Sequence, residues 1–229
     1  MSKLYDSVAI IVPVFNEEKV ITTVLNNLKK DFHNIICVDD GSTDNSPMLI
    51  DQANVFLIKH PINMGQGAAL QTGIEFARQF KKIKYFVTFD ADGQHNTSDL
   101  KNMIKEISKN EYDIILGSRF LGETKGLSKP KKIILKLATW FTVVTSGLKL
   151  TDTHNGLRVF NKKIADEIQI TMSDMSHASE ILEIISNNKY KYKELPVTIE
   201  YTDYSKDKGQ TIFNAVNIGF DTLLRKFFK

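Results

Sequence analysis

Phe89-Asp90-Ala91-Asp92-Gly93-Gln94-His95, entered through the run Tyr85-Phe86-Val87-Thr88, is the stretch whose reading decides the fold. Tyr85, Phe86, Val87 and Phe89 are aromatic or β-branched and predict a buried strand. Asp92-Gly93 marks the turn that ends it. If the chain stays extended through Asp92, then Asp90 and Asp92 point the same way, because side chains alternate along a strand. Two carboxylates on one side of a strand's carboxyl end suit a hard divalent cation. Magnesium favours oxygen ligands and takes one or two carboxylates, completing its shell with phosphates and water. The spacing therefore points to a metal site for a phosphorylated ligand. It equally admits a plain turn, with Asp92 capping the turn and Asp90 capping a helix from about Ser98.

Working outward, residues 8–12 are continuously apolar, as expected of a strand buried on both faces of a parallel sheet. Pro13 is expected to close that strand. Asn16-Glu17-Glu18 then opens a helix carrying Val20, Ile21, Val24, Leu25 and Leu28 at helical spacing. Further strands are predicted over 35–38, 55–58 and 114–116, and helices over about 68–80 and 98–109. Ser46-Pro47 reads as an N-cap followed by proline in the first turn. Strands alternating with helices specify an α/β fold: a mostly parallel, Rossmann-like sheet in a three-layer α/β/α arrangement. Ligands in such sheets bind outside the carboxyl ends of the strands. The polar clusters at Asn16-Glu17, Asp39-Asp40-Gly41, Asp90–Gln94 and Gly117-Ser118-Arg119 all fall there.

Beyond Arg119, Lys129-Pro130-Lys131-Lys132 leads into a helix that is apolar almost all round to Val144. A polar block over 152–158 is followed by a short apolar run to Phe160. Residues 177–186 are predicted helical and 195–201 a strand. A helix over 212–228 places Phe213, Val216, Phe220, Leu223, Leu224 and Phe227 on one face, flanked by Arg225, Lys226 and Lys229. The expected organisation is one domain over 1–210 and an amphipathic helix over 211–229.

A net charge of +3, without a basic run interleaved with aromatics, argues against nucleic acid as a partner. The lone Cys37 sits in an apolar run, cannot form an internal disulfide, and fits a reducing cytosol. No signal-peptide cleavage pattern and no stretch of about 20 apolar residues is present. The expected location is cytoplasmic.

Six blocks then carry a resemblance: Val12-Pro13-Val14-Phe15-Asn16-Glu17, Val38-Asp39-Asp40-Gly41-Ser42-Thr43-Asp44, Asn63-Met64-Gly65-Gln66-Gly67-Ala68, Asp90-Ala91-Asp92-Gly93-Gln94, Gly117-Ser118-Arg119, and 152–160. In that order the chain resembles the family 2 glycosyltransferases of GT-A fold, among them the dolichol-phosphate mannose synthases and bacterial polyprenyl-phosphate hexosyltransferases. The resemblance implies that Pro13, Asn16, Glu17 and Asp40 line the pocket for a nucleotide's base and ribose. Glu17 also suits a helix-dipole partner. Gly65 and Gly67 would let the backbone approach the nucleotide ahead of a helix N-terminus, or form a simple glycine turn. Asp90, Asp92 and Gln94 would hold Mg2+ or Mn2+ on the donor's diphosphate, with transfer by one in-line displacement and inversion. No Gly-Lys-Ser/Thr supports a Walker-type ATPase.

The acceptor divides the subfamilies. A sugar hydroxyl needs a general base, whereas a phosphate monoester, with its second pKa near 6, arrives largely ionised. Asp152, His154 and Glu180 are candidate bases, and each also suits a turn, cap or solvated helix face. Arg119, Arg158, Lys131 and Lys132 are candidate phosphate anchors; the dolichol-type enzymes carry arginine where Lys131 or Lys132 stands. His154 and Asn155 are the expected sugar-selecting contacts. The helix from Lys131 and the tail both pair basic residues with apolar faces, as interfacial helices do.

The expectation is a metal-dependent inverting hexosyltransferase of cell-envelope glycan synthesis. It would act from a nucleotide sugar, UDP-linked, on polyprenyl phosphate at the inner face of the cytoplasmic membrane. Many relatives carry transmembrane helices after the catalytic domain and this sequence stops short of them, so a small membrane protein is the expected docking helper. The alternatives are a saccharide hydroxyl acceptor, a nucleotidyltransferase, and a nucleotide-sugar-binding subunit without turnover.

Overall fold

The computed structural model of the chain describes residues 2–172, 176–201 and 204, with Ser2, Lys129, Lys131, Phe141 and Thr145 described by backbone alone. One helical turn, α1 (Ser2–Tyr5), leads into β1 (Val8–Val14), whose residues are all buried. Val8, Ile10, Val12 and Val14 face one apolar cluster, and Ala9 and Ile11 face the other. That alternation makes β1 the central partition of a three-layer fold.

The chain continues through α2 (Ile21–Lys29), β2 (Asn34–Asp39), α3 (Ser46–Gln52), β3 (Phe56–Lys59), α4 (Gln66–Arg78), β4 (Tyr85–Thr88), α5 (Thr97–Ile107) and β5 (Ile114–Ser118). There follow β6 (Thr124–Lys125), α6 (Lys129–Ser146), β7 (Arg158–Asn161), α7 (Lys162–Glu167), α8 (His177–Asn187), β8 (Tyr192–Pro196) and β9 (Ile199–Glu200). The main sheet has the order β3-β2-β1-β4-β7-β5-β8. Every neighbouring pair is parallel except those of β7, which runs antiparallel between β4 and β5. β6 and β9 form a separate parallel pair. The helices α2, α3 and α5 cover one face through Leu25, Leu28, Ile50, Leu100 and Met103. Those of α4, α7 and α8 cover the other through Leu70, Ile74, Ile164 and Leu182. Each fully buried side chain of this size contributes about 1.5–3 kcal/mol. Cys37 lies in the first cluster, and burial drives its thiol far above the usual range, so it packs as an inert hydrophobe.

The expected α/β/α fold with a mostly parallel sheet is what forms, but several boundaries move. Pro13 does not close β1, which runs on to Val14 in register with Asp39. The Ile11 carbonyl accepts from Phe89 N–H, so alternate residues of β1 turn their polar groups toward β4. The N–H that Pro13 lacks therefore falls where the β4 ladder has already ended at Ile11–Thr88. Helix α2 begins only at Ile21, because the backbone donors before it are taken elsewhere. Asn16 N donates to Ser42 Oγ (2.9 Å), Glu17 N to Ser46 Oγ (2.7 Å) and Glu18 N to Asp44 Oδ2 (3.1 Å). Ser46 is thus the first residue of α3, with Asn45 at the N-cap. The run expected as one strand over 195–201 splits into β8 and β9 in different sheets, as Val197 N donates to Ser118 O and Thr198 N to Asp99 Oδ2. The tail helix over 212–228 lies outside the described residues.

The fully buried Phe86 ring stacks on Phe160 at 5.8 Å between centroids, tying β4 to the inserted β7. Phe86→Ala is expected to cost about 3–5 kcal/mol, read as a lower urea midpoint at unchanged slope.

Candidate functional site

The strand order turns back on itself at β1: the chain winds outward through β2 and β3, then returns to place β4 on the opposite side. The crevice at such a switch point gathers the carboxyl ends of β1, β2 and β4. Because β7 runs the other way, its first residue, Arg158, arrives at the same edge, opposite Thr88 of β4 and Leu116 of β5. Anionic and cationic groups from strands far apart in sequence are thereby brought to one rim.

Pairing in β4 stops at Thr88, so the extension through Asp92 does not persist. A tight turn takes over, with Gly93 at φ +76°. Asp90 does not cap α5; Asn96 does, its side chain accepting from Ser98 N at 2.9 Å. Instead Asp90 accepts from Gln66 Nε2 on Oδ1 and meets His95 Nε2 on Oδ2, both at 3.0 Å. Gly156 lies behind it, where a Cβ would overlap the carboxylate. Burial pushes the Asp90 carboxyl up, but the hydrogen bond and charge of His95, with the charges of Arg158 and His177, bring it below the usual range. Asp92 accepts from Gln94 N at 3.0 Å. Burial, and then the charge of Asp90, push its carboxyl up to about 6. Asp92, Gln94 and His95 line a cavity of about 530 Å³ that reaches between α2 and Thr198.

These residues fit a hard divalent cation. Among the described residues no cluster of three or more His, Cys, Asp or Glu forms an all-protein cage. What the turn offers is two mutually repelling carboxylates and a neighbouring amide, which suits Mg2+ or Mn2+ taking its other ligands from phosphate and water. Asp90 and Asp92 would hold the ion, with Gln94 beside them.

Among the residues expected at a nucleotide, Asn16 sits at φ +55° and its Oδ1 accepts from Thr43 N at 2.8 Å. Glu17 is nearly buried, and its Oε2 accepts from the Tyr204 hydroxyl at 2.8 Å. Tyr204 went unremarked in the sequence, since a lone tyrosine near the tail carries no periodic or motif signal. Pro13 is buried beside them in β1. Asp40 is not an open acceptor for a base or ribose: buried, it receives Met64 N (2.9 Å), Gly65 N (2.8 Å) and His60 Nδ1 (2.7 Å). Its place is behind the pocket wall, fastening the loop that precedes α4. Gly65, at φ +91°, is the N-cap of α4. Gly67 is required by the chain itself, because a Cβ there would overlap the Met172 carbonyl oxygen.

The expected phosphate anchors separate into two kinds. Arg119 is buried and committed: Nε donates to Asp152 Oδ2 (2.6 Å), Nη1 to Tyr201 Oη (2.8 Å) and Nη2 to the His154 carbonyl (2.7 Å). It braces the 152–154 block rather than facing a ligand. Arg158, by contrast, is buried with Nη1 lacking any partner among the described residues, as is Nδ2 of Asn155. Lys132 is exposed in the first turn of α6; the side chain of Lys131 lies outside the described part.

The candidate bases are occupied. Asp152 serves Arg119, and Glu180 accepts from Thr171 N and Met172 N, holding that segment over α4. Burial lowers the His154 imidazole to about 4, so it is neutral at physiological pH.

Three outcomes are expected here. Metal must displace the Asp92 proton, so apparent Mn2+ affinity should fall about tenfold per pH unit below 6 and level off above it, read by calorimetric titration. The same raised carboxyl, more acidic in the unfolded chain, should make the metal-free protein lose stability as pH rises from about 4 to 6. Gly156→Ala, by displacing Asp90, should weaken Mn2+ binding about 10–100-fold.

Comparisons with known proteins bear on the family and the fold. Residues 9–169 match the family model described as glycosyl transferase family 2. The UDP-N-acetylglucosamine–dolichyl-phosphate N-acetylglucosaminyltransferase of Methanococcus voltae is 33% identical over 243 residues, covering 96% of each chain. A dolichyl-phosphate beta-glucosyltransferase of Trichomonas vaginalis is 31% identical, covering 94% of this chain and 72% of its own. In fold, glucosyl-3-phosphoglycerate synthase of Mycobacterium tuberculosis, crystallised with Mn2+ and UDP-glucose, superposes with a TM-score of 0.73 over 97% of this chain and 78% of its own, at 12% identity. The chain belongs to glycosyltransferase family 2, and it is a glycosyltransferase of GT-A fold.

Proposed function

We propose that the protein moves a hexose from a UDP-linked sugar to a polyprenyl-type lipid phosphate at the inner face of the cytoplasmic membrane, with inversion, in cell-envelope glycan synthesis. The observation that carries this reading is the pair of buried donors without a partner among the described residues, Arg158 Nη1 and Asn155 Nδ2, on the rim that also holds Asp90. A buried guanidinium with an open N–H is a specific receptor for a phosphate oxygen. The occupied bases support the same acceptor. A saccharide hydroxyl would have to lose its proton to a group in the site. Asp152 and Glu180 are each engaged by several donors, and His154 near 4 is too weak a base for the task. A phosphate monoester needs no such help.

The donor half rests on Asn16 and Glu17 for the nucleoside, and on Asp90, Asp92 and Gln94 for the diphosphate. A bound Mg2+ or Mn2+ supplies charge neutralisation for the leaving nucleoside diphosphate. The protein's own part is orientation: Gln66 and His95 hold Asp90 from two sides, and Arg119 fixes the block from which His154 and Asn155 face the sugar. The solved neighbour with Mn2+ and UDP-glucose, and the relatives named for dolichyl phosphate, support the donor and acceptor classes respectively. Residues 1–210 form the catalytic unit in this reading. The small membrane protein expected from the sequence gains no support from the relatives.

The test is a panel of radiolabelled UDP-sugars with dolichyl phosphate and Mn2+, followed by extraction into organic solvent. Label should enter the organic phase, and Asp92→Asn should abolish the transfer. Arg158→Lys should raise KM for the lipid phosphate roughly 10–100-fold, as loss of a charged hydrogen bond implies, with KM for the UDP-sugar little changed. Label recovered only in a water-soluble saccharide would overturn the acceptor assignment.

A further inference from the structure

A side chain of the protein itself already occupies the nucleoside end of the site. Glu17 lies just beyond the carboxyl end of β1 and is only 9% exposed. A carboxylate buried to that degree needs hydrogen-bond donors. One of them is the Tyr204 phenol, whose Oη donates to Glu17 Oε2 at 2.8 Å and lies 3.3 Å from the Asn16 carbonyl oxygen. Asn16 and Glu17 are the two residues to which the proposed function assigns the donor's nucleoside.

The surroundings of the phenol place it on the donor's path. Burial, then the hydrogen bond and charge of Glu17, push the Tyr204 hydroxyl far above its usual range, and the charges of Asp44 and Asp92 add to this. Those three carboxylates stand beyond β1, β2 and β4 respectively. Asp92 in turn feels the charge of Glu17. The phenol therefore sits where the nucleoside end and the metal end of the site converge. A nucleoside diphosphate reaching from Glu17 to a cation on Asp92 has to pass it.

The chain is anchored firmly just before this point and lightly at it. Tyr201 is buried: its N–H donates to the Lys125 carbonyl at 2.9 Å, and its hydroxyl accepts from Arg119 Nη1 at 2.8 Å. Tyr204 is only half-buried. Its ring has the Lys19 ammonium 5.8 Å from the centroid, a weak attraction at an exposed site. Its hydroxyl makes the kind of bond to Glu17 that a ribose hydroxyl also makes, an O–H donated to a carboxylate oxygen.

We infer that in the ligand-free protein the Tyr204 phenol stands on Glu17 in the place of a ribose hydroxyl, and that the UDP-sugar displaces it on binding. This rests on the donor half of the proposed function. The site blocks itself, and donor affinity is reduced by the fraction of molecules in which the tyrosine is seated.

The test compares the whole chain with Tyr204→Phe, which keeps the ring beside Lys19 and removes only the hydroxyl. Calorimetric titration with UDP in the presence of Mn2+ should give the variant a Kd about three- to tenfold lower, as the net loss of one competing intramolecular hydrogen bond implies. A UDP analogue without its 2′ and 3′ hydroxyls leaves the tyrosine seated, so its Kd should be the same for both proteins. Mn2+ titrated alone should also bind both alike. A variant that binds UDP more weakly would overturn the inference, because the phenol would then be a wall of the occupied site. Equal tightening with the analogue would overturn it as well. UDP bound equally by both proteins would sink the inference and leave the donor reading standing; UDP bound by neither would sink both.

Discussion

The repulsion between two carboxylates in one tight turn is the constraint on which the site depends. Asp90 and Asp92 are a residue apart, and burial, reinforced by the charge of Asp90, holds a proton on Asp92 up to about pH 6. The fold does not relieve this by spreading the pair. It clamps Asp90 with Gln66, His95 and the close backbone of Gly156. Asp92 is left on a glycine turn at the lip of a cavity. One carboxylate is therefore fixed and anionic, and the other is poised. A site of that kind is suited to a cation.

The sheet topology supplies the other half. A purely parallel order would bring only carboxyl ends, rich here in aspartate, to the crevice. Reversing one short strand between β4 and β5 sends an amino end there instead, and with it Arg158 and the polar block before it. The same reversal seats Gly156 against Asp90 and Thr88 Oγ1 against the Gly156 carbonyl at 2.6 Å. In the proposed reading donor and acceptor subsites share this one backbone junction, which would keep their spacing independent of the surface loops.

Much of the framework was legible in the sequence because it rests on local pattern. The apolar runs of β1, β2, β4 and β5 and the spacing in α5 and α8 each announce themselves within a dozen residues. β7 did not, being four residues long and opening on an arginine. Side-chain roles were harder to read wherever the partner is remote. Asp40 was expected at a nucleotide and instead holds a loop more than twenty residues on. Glu180 was a candidate base and instead fastens Thr171 and Met172. The apolar character of α6 was evident, but a helix apolar almost all round does not reveal which face a neighbour will cover. The Thr139–Thr153 contact, the packing of Val143 on the core and the Ser146–Ser186 hydrogen bond decide that.

Arg119 and Arg158 show why residue type at a strand end is not enough. Both are buried at the same edge. For Arg119, burial lowers the guanidinium but the nearby Asp152 and Tyr201 more than restore it, so the net is a rise. Its charge is answered within the fold. For Arg158 burial prevails over Asp90 and Asp152, and the net is a fall. Its charge is only partly answered, a condition that costs a folded protein several kcal/mol if nothing else compensates. The crevice thus holds an under-compensated anion at Asp92 and an under-compensated cation at Arg158, each within the electrostatic reach of Asp90. A metal-bound diphosphate on one side and a phosphate on the other would neutralise both at once. That complementarity is why these two residues, and not Arg119 or Asp40, are the ones expected to touch the reactants.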